Sequence, residues 1–443
     1  MTSTLPEKLA SLLGNHGVVP ANRLAEYSID GLVPASVVQP TSREAIAEVL
    51  RWAAAEKLAV SPRGGGTQMS LGNTPSKLDL VMDLSKYHRL LDYQPADLTA
   101  TVEAGITLEA FQRELAQGGN LASLEAPMAD RATIGGILAA NSSGPLRHSY
   151  GPARDWLIGI SIVGPDGGET KAGGKVVKNV TGYDLNKLYT GSLGTLGVIV
   201  EATFKLAPFP TDSGALVAVF PSMQTAMDEA RNLLAQIYSP QGVHIVNALT
   251  AEKLDLPFNV PTDGACVMAF CSGRSRAVQR RLEESATLLL ERNASQVERL
   301  DEPSGAALLR RLTDLGWSAA TTPQLSLKIN VSPSLVPKAI AWHQNSGIDP
   351  PGILADAGFG SVRLFWWGEE ALPISGVIEA IVRLRAIAQE SGGSVVVEHC
   401  PLPAKAQVDV WGDTSVEVEL MRRIKHAFDP LGTLNPGRFM GRL

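Results

Sequence analysis

Residues 63 to 68 read RGGGTQ and follow the apolar run LAVSP without a break. Three adjacent glycines where a strand should end give up backbone entropy and contribute nothing to packing. They must serve a purpose that a Cβ would obstruct, either a tight turn or bulge or a close approach of bare backbone to a ligand. Consecutive glycines let successive N–H groups converge into a nest that binds an anion without a cationic side chain. For one such loop in isolation, a turn or bulge is the simpler reading.

This loop is not isolated. Between 126 and 200 the chain carries APMADRATIGG, NSSGP, SYGP, GPDGG, KAGGK and GSLGTLG, spaced among apolar strands too regularly for a disordered linker. Several small-residue loops within about 140 residues point to a long ligand with a diphosphate. The familiar nucleotide loops do not fit. GGKVV (173–177) lacks the Ser/Thr that follows a P-loop lysine, no G-x-G-x-x-G lies between a strand and a helix, and GSLGTLG (191–197) leads into strand-like VIVEATFKL.

The local pattern around the loops is mixed. TSRE (41–44) is a capping-box pattern, and Ile46, Val49, Leu50, Ala53 and Ala54 then share a helical face. Strands are expected at 78–84 and 98–105, and a helix over 108–117 that Thr107 caps and Gly118 ends. From about 210 the texture changes. Strand-like GALVAVF, ACVMAFC, 324–331, 360–367 and SVVVEHC alternate with helical patterns near 222–237, 275–292 and 372–390. This predicts an antiparallel sheet with helices on one face, so the fold class is α+β. Asp166 in PDGG reads as a hairpin turn residue.

With 443 residues, 44% of them hydrophobic, two cores are expected. A net charge of −6 without a Lys/Arg cluster leaves no electrostatic footprint for nucleic acid or an anionic membrane. The first residues lack a basic region followed by an apolar one, and no apolar run approaches membrane length, so a cytoplasmic protein is expected. Cys266, Cys271 and Cys400 are too few for a four-thiolate iron–sulfur cluster and match no zinc spacing, which leaves buried reduced thiols as the plain reading.

AVSPRGGGTQ, ATIGG, SGPLRHSYGPARDWLIGISIV, GGKVVKNVTGYDLNKLYTGSLGTLGVI and FDPLGTLNPGRF closely resemble the family of FAD-binding subunits of bacterial glycolate oxidase. More broadly they resemble the vanillyl-alcohol-oxidase (PCMH) type of FAD-linked oxidoreductase, which includes D-lactate and D-2-hydroxyglutarate dehydrogenases. The resemblance covers roughly residues 35–210 and the last 30. It implies a PCMH-type FAD-binding domain over 1–209, a cap or substrate domain over 210–415 with a ferredoxin-like antiparallel sheet, and a return to the first domain over 416–443.

Carried onto this chain, the resemblance implies that Arg63, Gly64, Gly65, Gly66, Thr67, Gln68 and Ser70 form the pyrophosphate loop. Thr133, Gly135, Gly136, Ser142, Ser143 and Gly144 would line the other side of the cofactor, with Tyr150 and Gly151 close by. Thr195, Gly197, Val198 and Ile199 would contact the adenosine or diphosphate through backbone. Asn435 would bring the C-terminus back, while Lys178 and Asn179 would support the flavin side. Some relatives attach FAD through a loop histidine; Thr67 occupies that place here, which implies noncovalent FAD.

Oxidising a 2-hydroxy acid on a flavin needs a cation for the carboxylate, a base for the hydroxyl proton and the α C–H aimed at flavin N5. Dehydrogenase relatives supply metal ligands in H-A-G-D-G-N-L-H and G-E-H-G-I-G patterns. This chain reads DAGFGSVR (356–363) and VEHCPLP (397–403) at those places. Asp356 and Arg363 replace the two histidines while Glu398 and His399 remain, and an arginine opposes a metal ion, so no metal is expected. Arg363 then becomes the carboxylate clamp, His399 the base and Lys328 a further cation. The plainer alternatives are a structural histidine, ion-paired cations and a vestigial site in a subunit that only holds FAD. Family pattern further implies a second FAD subunit and an iron–sulfur subunit linked to membrane quinone. An NADPH-dependent flavin reductase is a third reading, which nothing in the second half favours.

Overall fold

The computed structural model describes residues 5–175, 183–342, 348–412 and 415–443, so Lys178 and Asn179 lie outside the described residues. Local capping follows the sequence closely at the helix Leu108–Gln117, where the Thr107 side chain accepts from Ala110 N and the helix ends at Gly118. The pattern at 41–44 is realised one residue later than expected. Ser42, rather than Thr41, accepts from Ala45 N and opens the helix Arg43–Ala55, which buries Ile46, Val49, Leu50 and Ala53.

The chain divides into two units. The first comprises Met1–Ser143, Pro152–Pro208 and Asp413–Leu443; the second comprises Gly144–Gly151 and Phe209–Gly412. The first unit contains a parallel three-stranded sheet in the order Ser36–Val38, Leu80–Asp83, Val60–Arg63. It also contains an antiparallel five-stranded sheet in the order Leu90–Gln94, Thr99–Glu103, Val198–Lys205, Leu157–Val163, Glu169–Gly173. The turn joining the last two strands is closed by Asp166, whose carboxylate accepts from Gly168 N at 2.8 Å. Leu434 pairs in parallel with Val60, so the C-terminal segment extends the three-stranded sheet.

The second unit is built on an eight-stranded sheet in the order Gln296–Leu300, Asp212–Phe220, Ala265–Gly273, Gly242–Asn247, Gly352–Asp356, Ser361–Trp366, Leu325–Asn330, Ser394–His399. Every pairing in it is antiparallel. One face packs Leu216, Ile245, Val267, Leu327 and Leu364 beneath the helices Met223–Leu234, Ser275–Glu291 and Ile374–Gln389. The expectation of helices on one face is corrected on the other. There Leu308 and Leu312 from the helix Glu302–Asp314, with Ala251 from Ala248–Lys253, cover Val217, Met268 and Phe270. Both faces of this sheet are apolar over most of their area, so both need a cover.

The apolar cover on that second face gives way to polar residues on the last three strands. Alternation along a strand puts Lys328 on the side of Ser326, and Arg363 on the side of buried Phe365. Lys328 and Arg363 are direct cross-strand partners. The ladder to Ser394–His399 slips between Ser326 and Leu327, so Ser326 pairs with His399 and Leu327 with Val397. Glu398 therefore occupies a bulge, a device that re-aims side chains at functional edges. Cys266 and Cys271 are buried in this sheet, and burial pushes their thiols up to about 12 and about 11, so neither is a thiolate at neutral pH.

Candidate flavin cradle and polar cluster

In the first unit the glycine loop is shaped by close backbone approach. A Cβ on Gly64 would lie 1.9 Å from Thr133 Oγ1, and one on Gly65 would lie 1.7 Å from the Arg131 carbonyl oxygen. Gly66 has φ +71. Only glycine lets the loop lie against residues 131–136 this closely. Thr133 caps the short helix Ile134–Ala140, and Gly135 N donates to Ala104 O at 2.7 Å. The result is a cleft lined by Arg63, Gly64, Thr133, Gly135, Gly136, Gly197, Val198 and Ile199, all expected there. Pro62, Leu84, Ala104, Ala139, Leu193 and Gly194 complete it, and nothing in their residue types distinguishes most of them from ordinary core.

The other expected cofactor residues have different settings. Gly65, Gly66, Thr67, Gln68 and Ser70 continue the loop beyond the residues that line this cleft. The Thr195 hydroxyl donates to Ser192 O at 2.7 Å within its own loop. Asn435 serves as a brace: its side chain accepts from Ser61 Oγ at 2.6 Å and donates to Leu193 O at 2.6 Å. Ser142 and Ser143 belong to the first unit, but Gly144, Tyr150 and Gly151 belong to the second. There the Tyr150 hydroxyl lies 3.3 Å from Ser272 Oγ. The sequence offered no cue for this division, because residues 144–151 carry the same small-residue texture as their neighbours.

The cradle fits a dinucleotide. Its walls are bare backbone that a Cβ would fill, and Arg63 Nε and Ser192 Oγ are buried without a hydrogen-bond partner among the described residues. Buried polar atoms of this kind call for a ligand or water. Arg63 is held over the Tyr27 ring at 4.3 Å, and its Nη1 donates to Glu26 O at 3.2 Å. The C-terminal segment supports the cradle from behind. Lys425 donates to Thr195 O and Leu434 O, each at 2.8 Å, and pairs with buried Asp429 at 2.5 Å. Arg438 donates to the carbonyls of Met69, Leu71 and Asn73. No residue-type signal marked Lys425 or Arg438 in advance.

In the second unit, Lys328, Arg363, Glu398 and His399 gather at the polar end of the sheet. Arg363 does not stand free as a clamp: its Nη2 lies 3.3 Å from Glu398 Oε1, and Ser326 Oγ donates to Glu398 Oε2 at 3.3 Å. The Lys328 ammonium makes neither a hydrogen bond nor an ion pair among the described residues. Burial, then the nearby Arg363 and Arg147 charges, lower its ammonium to about 8, against an opposing pull from Glu398. Asp356 is consumed by its own turn, accepting from Gly358 N at 2.8 Å and Phe359 N at 3.0 Å. His399 Nε2 is buried with no hydrogen-bond partner among the described residues, and burial holds the imidazole below its ordinary value. Such an imidazole is neutral at neutral pH and is able to accept a proton.

Comparison with known proteins assigns both regions to families. The FAD binding domain family matches residues 34–173, and the FAD linked oxidases C-terminal domain family matches residues 364–439. Glycolate oxidase subunit GlcD of Bacillus subtilis is 26% identical, covering 100% of this chain and 98% of that protein. D-2-hydroxyglutarate dehydrogenase of Xanthomonas citri is 28% identical over 91% of this chain and 89% of that one. D-lactate dehydrogenase of Archaeoglobus fulgidus is 29% identical over 92% and 91%. Among solved structures, substrate-bound p-cresol methylhydroxylase superposes with TM-score 0.73 at 18% identity, over 98% of this chain and 95% of that one. 4-Ethylphenol oxidase of Gulosibacter chungangensis gives 0.70 at 16%, over 98% and 96%.

Proposed function

Because the chain belongs to the vanillyl-alcohol-oxidase (PCMH) type of FAD-linked oxidases, we propose that it oxidises a small 2-hydroxy acid such as glycolate or lactate to the 2-oxo acid. The observation carrying this reading is that Lys328, an ammonium without an ion pair among the described residues, and His399, whose buried Nε2 has no hydrogen-bond partner among them, both lie near Arg363 and Glu398. Lys328 holds the substrate carboxylate, with Arg363 adding charge from its pair with Glu398. His399 Nε2 takes the hydroxyl proton as the α-carbon loses its hydride. Arg63, the glycine loop and the 191–199 segment would hold FAD noncovalently, and that group would supply the hydride acceptor.

Similarity to a glycolate oxidase subunit supports work within a complex. The partners would be a second FAD subunit and an iron–sulfur subunit, the latter passing electrons onward at a membrane. Among the described residues no helix is long and apolar enough to cross a membrane; in this reading the chain works in the cytoplasm and meets a membrane through such a partner. One observation favours a second reading, a subunit that holds FAD without oxidising substrate: Arg363 is already engaged by Glu398.

The test is anaerobic addition of glycolate and D-lactate, separately, to the purified FAD-loaded chain. Loss of flavin absorbance near roughly 450 nm supports oxidation by this chain. An unbleached flavin spectrum moves catalysis to a partner, and failure to take up FAD overturns the reading entirely.

A further inference from the structure

His399 is held by a feature that lies outside its own strand. The helix Glu302–Asp314 is followed by Leu315, and the chain then turns at Gly316 with φ +82. A Cβ at Gly316 would also lie 2.6 Å from the Phe365 ring, so the turn is available to glycine and to little else. It delivers two groups to His399. The Gly316 backbone hydrogen-bonds the imidazole, and the Trp317 indole lies with its centroid 4.8 Å from the imidazole centroid at 58°. Trp317 is itself only 6% exposed. His399 Nε2 is buried and has no hydrogen-bond partner among the described residues.

We infer that the Gly316–Trp317 turn is the positioning element for His399, fixing its ring plane and its dryness through the Trp317 indole. The inference rests on the reading of His399 as the base. Other charged groups act on the imidazole in opposite directions. Glu398 beside it favours the cation, whereas Lys405 and Arg363 disfavour it, and burial outweighs each of them. Trp317 supplies part of that burial, so its loss lets water reach the ring and favours the protonated form.

The experiment uses the full-length FAD-loaded protein with Trp317→Leu and Trp317→Phe. The His399 imidazole is titrated by NMR, assigned through His399→Gln, and the pH dependence of flavin bleaching by D-lactate is recorded beside it. Trp317→Leu should raise the His399 midpoint by about one unit and carry the acid limb of bleaching upward with it. Trp317→Phe should move both in the same direction by less. An unmoved midpoint in folded Trp317→Leu overturns the inference; if that variant does not fold, an unmoved midpoint in Trp317→Phe does so. A midpoint that moves while no hydroxy acid bleaches any variant upholds the positioning role and removes the base assignment instead.

Discussion

The cradle of the first unit and the polar cluster of the second are built on opposite terms. The cradle is defined by what its residues lack: Gly64, Gly65 and Gly135 bring backbone to distances that a Cβ would forbid. The cluster is defined by what its side chains carry, with Lys328, Arg363 and Glu398 brought together by strand order. A site made of backbone depends on the struts behind it, while a site made of charges depends on which charge is already neutralised. The two should therefore fail differently under substitution.

The largest expected effect falls on a strut. Lys425→Met leaves Asp429 buried without its cation, held only by the N–H groups of Thr433 and Leu434, and should cost about 3 kcal/mol in denaturant unfolding, with FAD released more readily. Unchanged stability would show that the cradle does not need its C-terminal support. Next is the cluster: Lys328→Met should lower kcat/KM for the hydroxy acid by about 2–5 kcal/mol while the flavin spectrum and FAD affinity stay as they were. Loss of FAD in that variant would erase the distinction between the two regions.

Gly65→Ala reverses the pattern. It should weaken FAD binding or folding by about 1–3 kcal/mol, read from flavin fluorescence titration and thermal melts, because the new Cβ meets the Arg131 carbonyl, which cannot swing aside. A smaller effect follows from pH. Lys328 holds a carboxylate only when protonated, and its folded value is about 8. kcat/KM should therefore hold between the acid limb set by His399 and that pH, and decline as pH rises through it, and Lys328→Arg should move the decline upward; no decline up to pH ~10 would exclude the ammonium as the anchor. Last, Thr107→Ala removes a cap in the first unit and should cost about 1 kcal/mol of stability without touching either kcat or FAD affinity.

Legibility in the sequence follows the same division. Glycine is informative because few positions require it, so 63–66 and 191–197 announced a ligand-facing backbone, and the family resemblance then identified that ligand as FAD. Helix caps such as Thr107 were equally local. The bulge at Glu398 and the Arg363–Glu398 pair were not legible, because they arise from a one-residue slip between strands that lie 72 residues apart at Ser326 and Glu398. Nothing in the residue pattern marked Trp317, and residues 144–151 read as more of the cofactor loop.

Residue types alone thus determined that this chain folds as α+β around a glycine-lined cofactor site, because backbone freedom, capping and apolar periodicity act over a few neighbours. Only the tertiary structure decided which cation remains unpaired, which nitrogen of His399 is open and which turn holds it. Those depend on the register of strands distant in sequence, and register is set by the packing of the whole sheet.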